Sequence, residues 1–167
     1  ELPLDRSSVF YPSSATTKSG GFYSQKQLMD VERCGDAGCH PDIYAMWYES
    51  THHLASMSDP WYRRTFQFFE ERSGQHLAQW CGGCHDPALM MTGNMQGASE
   101  IDFDAAAAQI GISCQFCHSV GAVDVAHANG SYQLFPAAEL PYQGTDDPRL
   151  RELGNRMLLE SPELIAQ

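Results

Sequence analysis

The sequence predicts a mainly α-helical fold with extensive loops and little or no β-sheet, and three observations support this class. Six cysteines fall into three short motifs, and each motif ends in a histidine directly after its second cysteine. Positions i, i+3 and i+4 of a helix share one face, so the shorter spacings suit a single helical turn. Several longer segments begin with proline, which favours a helix start. Finally, 14 glycines and 9 prolines among 167 residues predict many turns between short helices.

The second and third motifs, at residues 81–85 and 114–118, both have the form Cys-x-x-Cys-His. This pattern is typical of c-type haem attachment. The two sulfurs bond covalently to the haem vinyl groups, and the histidine donates an imidazole nitrogen to the iron. The sequence therefore predicts two attachment cysteines and one proximal histidine at each of these motifs.

The first motif, at residues 34–40, has two additional residues between its cysteines. Gly35 and Gly38 lie in this longer gap and would allow the additional residues to loop out. We therefore interpret it as a third attachment site, and three haem c groups then use all six cysteines. The predicted attachment residues are Cys34, Cys39, Cys81, Cys84, Cys114 and Cys117, and the predicted proximal ligands are His40, His85 and His118.

Two other interpretations of the cysteines were weighed. Two Cys-x-x-Cys pairs about thirty residues apart are compatible with a four-thiolate zinc site, and six cysteines are compatible with a disulfide framework. Neither explains why a histidine follows the second cysteine every time. With three porphyrins in 167 residues, the cofactors must supply much of the core. The fold class is accordingly a small multihaem cytochrome c fold wrapped round three covalently bound haems.

Two helices are predicted after the first motif. The first covers residues 41–57, because Pro41 and Asp42 suit a first helical turn. The second covers residues 60–72 and is expected to end at Gly74. These helices would lie between the first and second attachment sites.

Later in the chain, residues 102–111 predict a short alanine-rich helix that Gly111 closes before the third motif. Residues 130–135 predict a brief strand. A terminal helix is predicted over residues 149–160, after Pro148.

The length predicts a single domain with three parts. Residues 1–33 are polar and rich in turn-forming residues, which favours an irregular N-terminal arm. Residues 34–132 form the predicted three-haem core. Residues 133–167 are expected to form a C-terminal loop and helix that pack on this core.

Four histidines remain as candidates for the sixth, distal position on the irons. Histidine on both sides of an iron leaves no open position and favours electron transfer. His52 lies twelve residues after His40, about 18 Å along a continuous helix, so it is expected to bind the iron of another haem. In order of preference, the distal candidates are His52, His127, His76 and His53. The competing methionine candidates are Met46, Met57, Met90, Met91 and Met95.

The formal net charge of −11 disfavours non-specific nucleic-acid binding. We expect partners that are redox proteins or cytochrome subunits with basic docking surfaces. No run of about 18 apolar residues predicts a transmembrane segment, although a membrane complex remains a possible partner. Because covalent haem attachment takes place beyond the energy-transducing membrane, we expect an exported protein, periplasmic or extracellular, or a piece of a longer one.

A family resemblance is carried by short runs of residues. Cys-His-Pro at 39–41, followed by Trp-x-x-Ser-x-His at 47–52, resembles the pattern of multihaem cytochromes related to hydroxylamine oxidoreductase and the tetrahaem nitrifier cytochromes. Cys-His-Asp-Pro at 84–87 and Gly-Ile-Ser-Cys at 111–114 are similar to that group as well. The resemblance implies a periplasmic electron-transfer fold with closely stacked haems. It also implies that the last histidine of 47–52 is a distal ligand to a haem bound elsewhere in the chain.

The leading hypothesis is electron transfer through three haems, by a carrier, a subunit of a larger redox complex or a unit of a cytochrome filament. The alternative is a multihaem oxidoreductase that acts on a small nitrogen or sulfur compound at a five-coordinate haem. A purely structural module is a third hypothesis. The chain departs from the relatives, which have four or more haems, and it lacks a Cys-x-x-Cys-Lys motif. Together with the four spare histidines, this favours a carrier over an enzyme.

Overall fold

The computed structural model describes residues 6–96, 101–124, 130–135, 140–161 and 163. Short helices and loops dominate these residues, and the strands are few and short, so the predicted mainly α class is confirmed. The helices are α1 Gln25–Met29, α2 Pro41–Tyr48, α3 Pro60–Ser73, α4 Gln75–His85, α5 Pro87–Met91, α6 Ala106–Gln109, α7 Cys114–His118 and α8 Pro148–Glu160. Two 3-10 helices cover Glu32–Gly35 and His53–Ala55, and the strands are β1 Thr16–Thr17, β2 Val120–Val123 and β3 Tyr132–Leu134.

Helices α3 and α8 start as the sequence predicts. The Asp59 carboxylate accepts a hydrogen bond from the Trp61 N–H at 2.8 Å, and Asp147 accepts one from the Arg149 N–H at 2.9 Å. A proline follows each aspartate in the first turn, where its missing N–H costs nothing. The predicted helices over residues 60–72 and 149–160 are both confirmed.

The predicted helix over residues 41–57 is wrong in length, because α2 ends at Tyr48. The Trp47 carbonyl accepts from the Ser50 N–H at 2.9 Å and from the Ser50 hydroxyl at 2.7 Å. These bonds tighten the chain into a turn instead of a further helical turn. The separation of about 18 Å along one helix therefore does not describe the path from His40 to His52.

The predicted alanine-rich helix is shorter than expected and covers only Ala106–Gln109. The Asp102 carboxylate accepts from the Asp104 N–H at 3.0 Å, which forms a local turn that replaces the first helical turn. Gly111 has φ +61°, a left-handed conformation that a glycine adopts without strain.

The three strands form one small sheet in the order β1-β3-β2. Strand β1 pairs parallel to β3, with Thr16 opposite Gln133, and β2 pairs antiparallel to β3 with an irregularity after Val120. The predicted brief strand is confirmed as β3. The sheet joins residues from the N-terminal segment to the chain that follows the third motif.

The described part of the chain has a large hydrophobic core and a smaller cluster formed by Val31, Ala88 and Ile110. The fully buried side chains of the large core include Phe10, Leu28, Phe66 and Leu134, which come from widely separated segments. Helices α3 and α4 pack against each other. The core therefore fixes the helix that carries the second motif. None of the helices in the described ranges is long and apolar enough to cross a bilayer.

Candidate haem attachment sites

The second motif forms the last turn of α4, where Cys81, Cys84 and His85 occupy helical positions i, i+3 and i+4. Cys84 and His85 are exposed. The two glycines between the cysteines are packed closely from the other side. A Cβ at Gly82 would overlap the buried Met95 thioether, and a Cβ at Gly83 would overlap Ser13. Glycine therefore lets this turn lie directly on the core, with Cys81 partly buried against it and Cys84 and His85 exposed.

The imidazole of His85 is held from two sides. Its Nδ1 donates to the Ala55 carbonyl at 2.7 Å, since a carbonyl can only accept. The Tyr62 ring stacks on it with centroids 4.2 Å apart and an interplanar angle of 12°. An Nδ1–H bonded to a carbonyl leaves Nε2 as the nitrogen that can bind iron, which is the usual arrangement of a metal-ligating histidine.

A buried carboxyl group supports this arrangement. Asp86 is only 1% exposed, and it accepts hydrogen bonds from the Tyr62 hydroxyl and the Ser56 hydroxyl. Burial raises the pKa of Asp86 to about 6. Desolvation and the neighbouring carboxyl also raise the pKa of Tyr62. The Tyr62 ring is thus fixed at its hydroxyl end while its face packs on the imidazole of His85.

The third motif forms the short helix α7. Ser113 caps this helix, because its hydroxyl oxygen accepts from the Phe116 N–H at 3.1 Å. The same hydroxyl donates to the Leu28 carbonyl at 2.8 Å. Ser113 is buried, while Cys117 and His118 are exposed. One serine therefore both starts the helix and joins it to α1.

The first motif reaches a similar geometry without a continuous helix. The His40 N–H donates to the Cys34 carbonyl at 2.9 Å. In an α-helix the N–H of residue i bonds to the carbonyl of residue i−4, so a Cys-x-x-Cys-His turn joins the histidine to the first cysteine in the same way. The Cys39 N–H donates to the Asp36 carbonyl at 2.9 Å. The two additional residues therefore bulge outward, and the ends of the longer motif meet as those of the shorter motifs do.

The bulge is attached to α8. Arg151 donates twice to the Asp36 carboxylate, from Nε at 2.7 Å and from a terminal nitrogen at 2.8 Å. Asn155 donates to the same carboxylate at 2.6 Å. The hydrogen bond with Arg151 holds the pKa of Asp36 below its ordinary value. Asp36 is therefore a charged anchor between the first motif and a helix more than a hundred residues later.

Arg33 extends this network into the interior. It is 3% exposed, and its Nε donates to the Asn155 side-chain oxygen at 3.0 Å. Within the described residues its two terminal nitrogens have no hydrogen-bond partner. Burial lowers the pKa of this guanidinium, although an arginine stays charged at neutral pH. A buried positive charge therefore lies directly before Cys34.

The first and third motifs lie side by side. The Cys34 and Cys114 thiols are within hydrogen-bond range of each other, and this contact together with burial raises the pKa of Cys34. Their sulfurs would become thioethers on haem attachment and would then no longer titrate. The contact brings one attachment point of each motif to the same place.

The segment that carries His52 lies against the start of the third motif. The Ile112 N–H donates to the His52 carbonyl at 2.9 Å, and the Trp47 indole donates to the Ile112 carbonyl at 2.8 Å. A Cβ at Gly111 would overlap the His52 and His53 carbonyls. Gly111 is therefore required for this close approach.

The other candidate distal histidines differ in their surroundings. The His53 Nδ1 donates to the Tyr48 carbonyl at 2.7 Å, and its ring stacks on the Tyr48 ring at 4.6 Å. The His76 ring lies 5.6 Å from that of Tyr11. His127 lies outside the described residues. Assignment of these histidines and of His52 to particular irons stays a prediction.

Four of the five candidate methionine ligands belong to the protein core. Met57, Met90, Met91 and Met95 are at most 1% exposed. The fifth candidate, Met46, is 74% exposed. The buried four fill space in the core, which is the commoner role of methionine.

The surface beside the motifs fits haem. None of the eight residues of α2 is buried. Even the apolar side chains of Ile43 and Met46 on this helix are exposed. On α4, Leu77 is exposed about one turn before the second motif, and Trp80 is exposed directly before Cys81. Apolar helix faces normally pack against another apolar surface, and a porphyrin attached at the neighbouring cysteines would provide one.

The two competing uses of cysteine do not fit. None of the six cysteines forms a disulfide bond with another. Within the described ranges, which include all six, no three histidine, cysteine, aspartate or glutamate side chains are arranged to hold a metal ion. The four thiolates of a zinc site therefore do not converge.

These features define the class of the protein as a c-type cytochrome. The chain matches the profile of the family described as cytochrome c554 and c-prime over residues 33–119, more than half of its length. It belongs to this family, and it therefore binds haem c covalently and takes part in haem-based electron transfer. Searches of curated proteins and of solved structures found no match.

The residues that support the motifs were not predicted from the sequence. Asp36 and Arg151 are 115 positions apart, so local spacing contains no signal for their contact. Neither Tyr62 nor the carboxyl group of Asp86 was predicted to hold a motif in place. A polar residue next to a ligand histidine is the one local signal that would have indicated Asp86.

Proposed function

We propose that this cytochrome carries three haem c groups and transfers electrons between them and a redox partner. Each haem supplies an iron that alternates between the ferrous and ferric states. The six motif cysteines hold the three groups, and His40, His85 and His118 provide their proximal ligands. The protein would act as a periplasmic or extracellular carrier, or as a subunit of a larger redox complex or filament.

The hydrogen bond from the His40 N–H to the Cys34 carbonyl carries the proposal of a third haem. It closes the longer first motif in the way that a helix closes the other two. Cys34, Cys39 and His40 can therefore attach and ligate a haem as the shorter motifs do. This bond supports three haems rather than two.

The positions of the motifs support electron exchange among the groups. Cys34 and Cys114 are in contact, so haems attached there would have neighbouring edges. The segment after α2 contacts the second motif and the start of the third. Its Ala55 carbonyl accepts from His85, and its His52 carbonyl accepts from Ile112, which precedes the third motif. This segment therefore lies between the second and third motifs, and the first motif lies beside the third at Cys34 and Cys114.

We further propose that histidines complete the coordination of the irons, with His52 first among the candidates, followed by His127, His76 and His53. His52 is exposed, and its segment is fixed against the third motif. Six-coordinate irons would have no position for a substrate, which favours a carrier over an enzyme. The charge of −11 suits a partner with a basic docking surface.

Intact-mass measurement of the purified holoprotein tests the number of haems. We expect the mass of the chain plus three haems, and a Cys34→Ala/Cys39→Ala variant should lose one haem while the second and third motifs keep theirs. Cys81→Ala/Cys84→Ala is the matched variant at a standard motif. Two haems in the unmodified chain, with the peptide that contains residues 34–40 free, would contradict the proposal.

Optical spectra with carbon monoxide test carrier against enzyme. Three ferrous low-spin haems that bind little carbon monoxide are expected of a carrier. A haem that is high-spin and binds the gas fully would support the oxidoreductase instead.

A further inference from the structure

We propose that α8 holds the first attachment motif in place, and that Asp36 is the positioning residue through which it does so. The inference rests on the proposed three-haem function. We call the group formed by Arg33, Asp36, Arg151 and Asn155 the α8 clamp. The α8 clamp acts on the position of His40.

Asp36 orders the backbone of the first motif. Asp36 lies at the centre of the bulge, where its N–H donates to the Arg33 carbonyl at 3.2 Å and its carbonyl accepts from the Cys39 N–H. A fixed Asp36 therefore fixes the residue that precedes His40. In the second and third motifs, helical hydrogen bonds already order the backbone between the first cysteine and the histidine.

Side chains of α8 hold the Asp36 carboxylate in both position and orientation. A guanidinium that donates two parallel hydrogen bonds to one carboxylate fixes both position and orientation. Asp36 receives this pair from Arg151 and a third bond from Asn155. Asn155 in turn accepts from the buried Arg33. The carboxylate is therefore held from α8 and, through Asn155, from the chain before Cys34.

Helix α8 packs closely against this region. A Cβ at Gly154 would overlap the Pro141 carbonyl and would lie 2.6 Å from an Arg33 terminal nitrogen. Glycine at this position allows the helix to approach Arg33. Leu159 reaches the other end of the bulge, 3.5 Å from a Cβ built at Gly38. Contacts at both ends of the bulge thus come from one helix.

The test uses two variants with opposite changes in charge, Arg151→Gln and Asp36→Asn, in the full-length holoprotein. Both break the clamp, so both should speed amide hydrogen exchange in the peptide that contains residues 34–40. Both should also raise the fraction of one haem that binds carbon monoxide, because a less firmly held His40 competes less well for the iron. If the effect were purely electrostatic, the two variants would shift the potential of this haem in opposite directions. Amide hydrogen exchange at residues 34–40 would then stay unchanged in both.

Arg156→Gln on the exposed side of α8 is the matched control and should change neither measurement. Arg151→Lys keeps the charge without the two parallel bonds, so it should give an intermediate result and remains usable if Arg151→Gln does not fold. Normal exchange at residues 81–85 in the same sample shows that the rest of the fold is intact.

The proposal is overturned if either variant leaves exchange at residues 34–40 and the carbon monoxide fraction at the unmodified values. Failure of the three-haem function is separate. It would be seen first in the unmodified chain, as a peptide without haem at residues 34–40.

Discussion

The first and second motifs present the same three side chains, two cysteines and a histidine, on supports of opposite kinds. At the first site a bulged loop is held by an ion pair whose side chains are 30% and 23% exposed. At the second site the motif is part of α4, and the buried Asp86 accepts from Tyr62 and Ser56 behind the imidazole of His85. The ligand pattern therefore specifies the cofactor chemistry, while the geometry of each site is secured by residues outside the pattern.

This difference predicts different energetic costs when the supports are removed. A partly exposed ion pair such as that of Asp36 and Arg151 contributes on the order of 1 kcal/mol, because water and salt still screen it. A buried hydroxyl that loses its acceptor costs roughly 1–3 kcal/mol. Removal of the support at the second motif should therefore lower the free energy of unfolding more than removal of the ion pair at the first motif.

The largest expected effect is that of Asp86→Ala, which removes the acceptor of the buried Tyr62 hydroxyl. We expect a loss of roughly 2–3 kcal/mol in the free energy of unfolding of the holoprotein, against about 1 kcal/mol or less for Asp36→Ala. Denaturant unfolding measures both. Asp104→Ala is the control, since this side chain is 82% exposed in its ion pair with Arg63. The reverse order for Asp86 and Asp36 would show that the two supports have been ranked wrongly.

An intermediate effect is expected of Arg33→Met, which removes the buried positive charge before Cys34. Loss of a nearby cation disfavours the less positive, ferrous state, so the midpoint potential of one haem should fall by on the order of tens of millivolts. Spectroelectrochemical titration measures this shift. Arg63→Met, at a partly exposed position on α3 where Asp104 pairs the charge, should leave all potentials in place because water and Asp104 screen its charge. A rise in potential, or equal shifts of all haems, would contradict a charge effect confined to the first site.

The smallest effect is a pH dependence at the first site. The folded-state pKa of Asp36 is lowered by Arg151, below an unfolded value of about 3.9. Its ionised form therefore stabilises the fold above about pH 4, and this contribution is lost as the pH falls through the lower folded-state pKa.

Unfolding midpoints measured between about pH 6 and pH 3 should show this loss in the unmodified protein and less of it in Asp36→Asn. The advantage of the unmodified protein over the variant should shrink as the solution becomes more acidic. An advantage that stays constant down to the acidic end would mean that Asp36 has an ordinary pKa.

Much of the helical structure was predictable because its signals are local. Proline in a first turn and a preceding aspartate marked the starts of α3 and α8. The same proline signal marked the start of α2 correctly but carried no information about its end. That helix ends where the Ser50 hydroxyl donates a hydrogen bond to the Trp47 carbonyl. A serine inside an apolar pattern does not by itself predict this bond.

By itself the sequence determined the chemistry of this protein. Two thiols and an imidazole at helical spacing define a haem attachment motif whatever surrounds them, because the reacting atoms all lie within one turn of the chain. The tertiary structure alone decided what supports each motif. Asp36 meets Arg151, Cys34 meets Cys114 and Gly111 admits the His52 carbonyl only after distant segments have packed together. Such contacts form because distant segments bury a shared core, and they cannot be predicted from the spacing of residues near each other in the sequence.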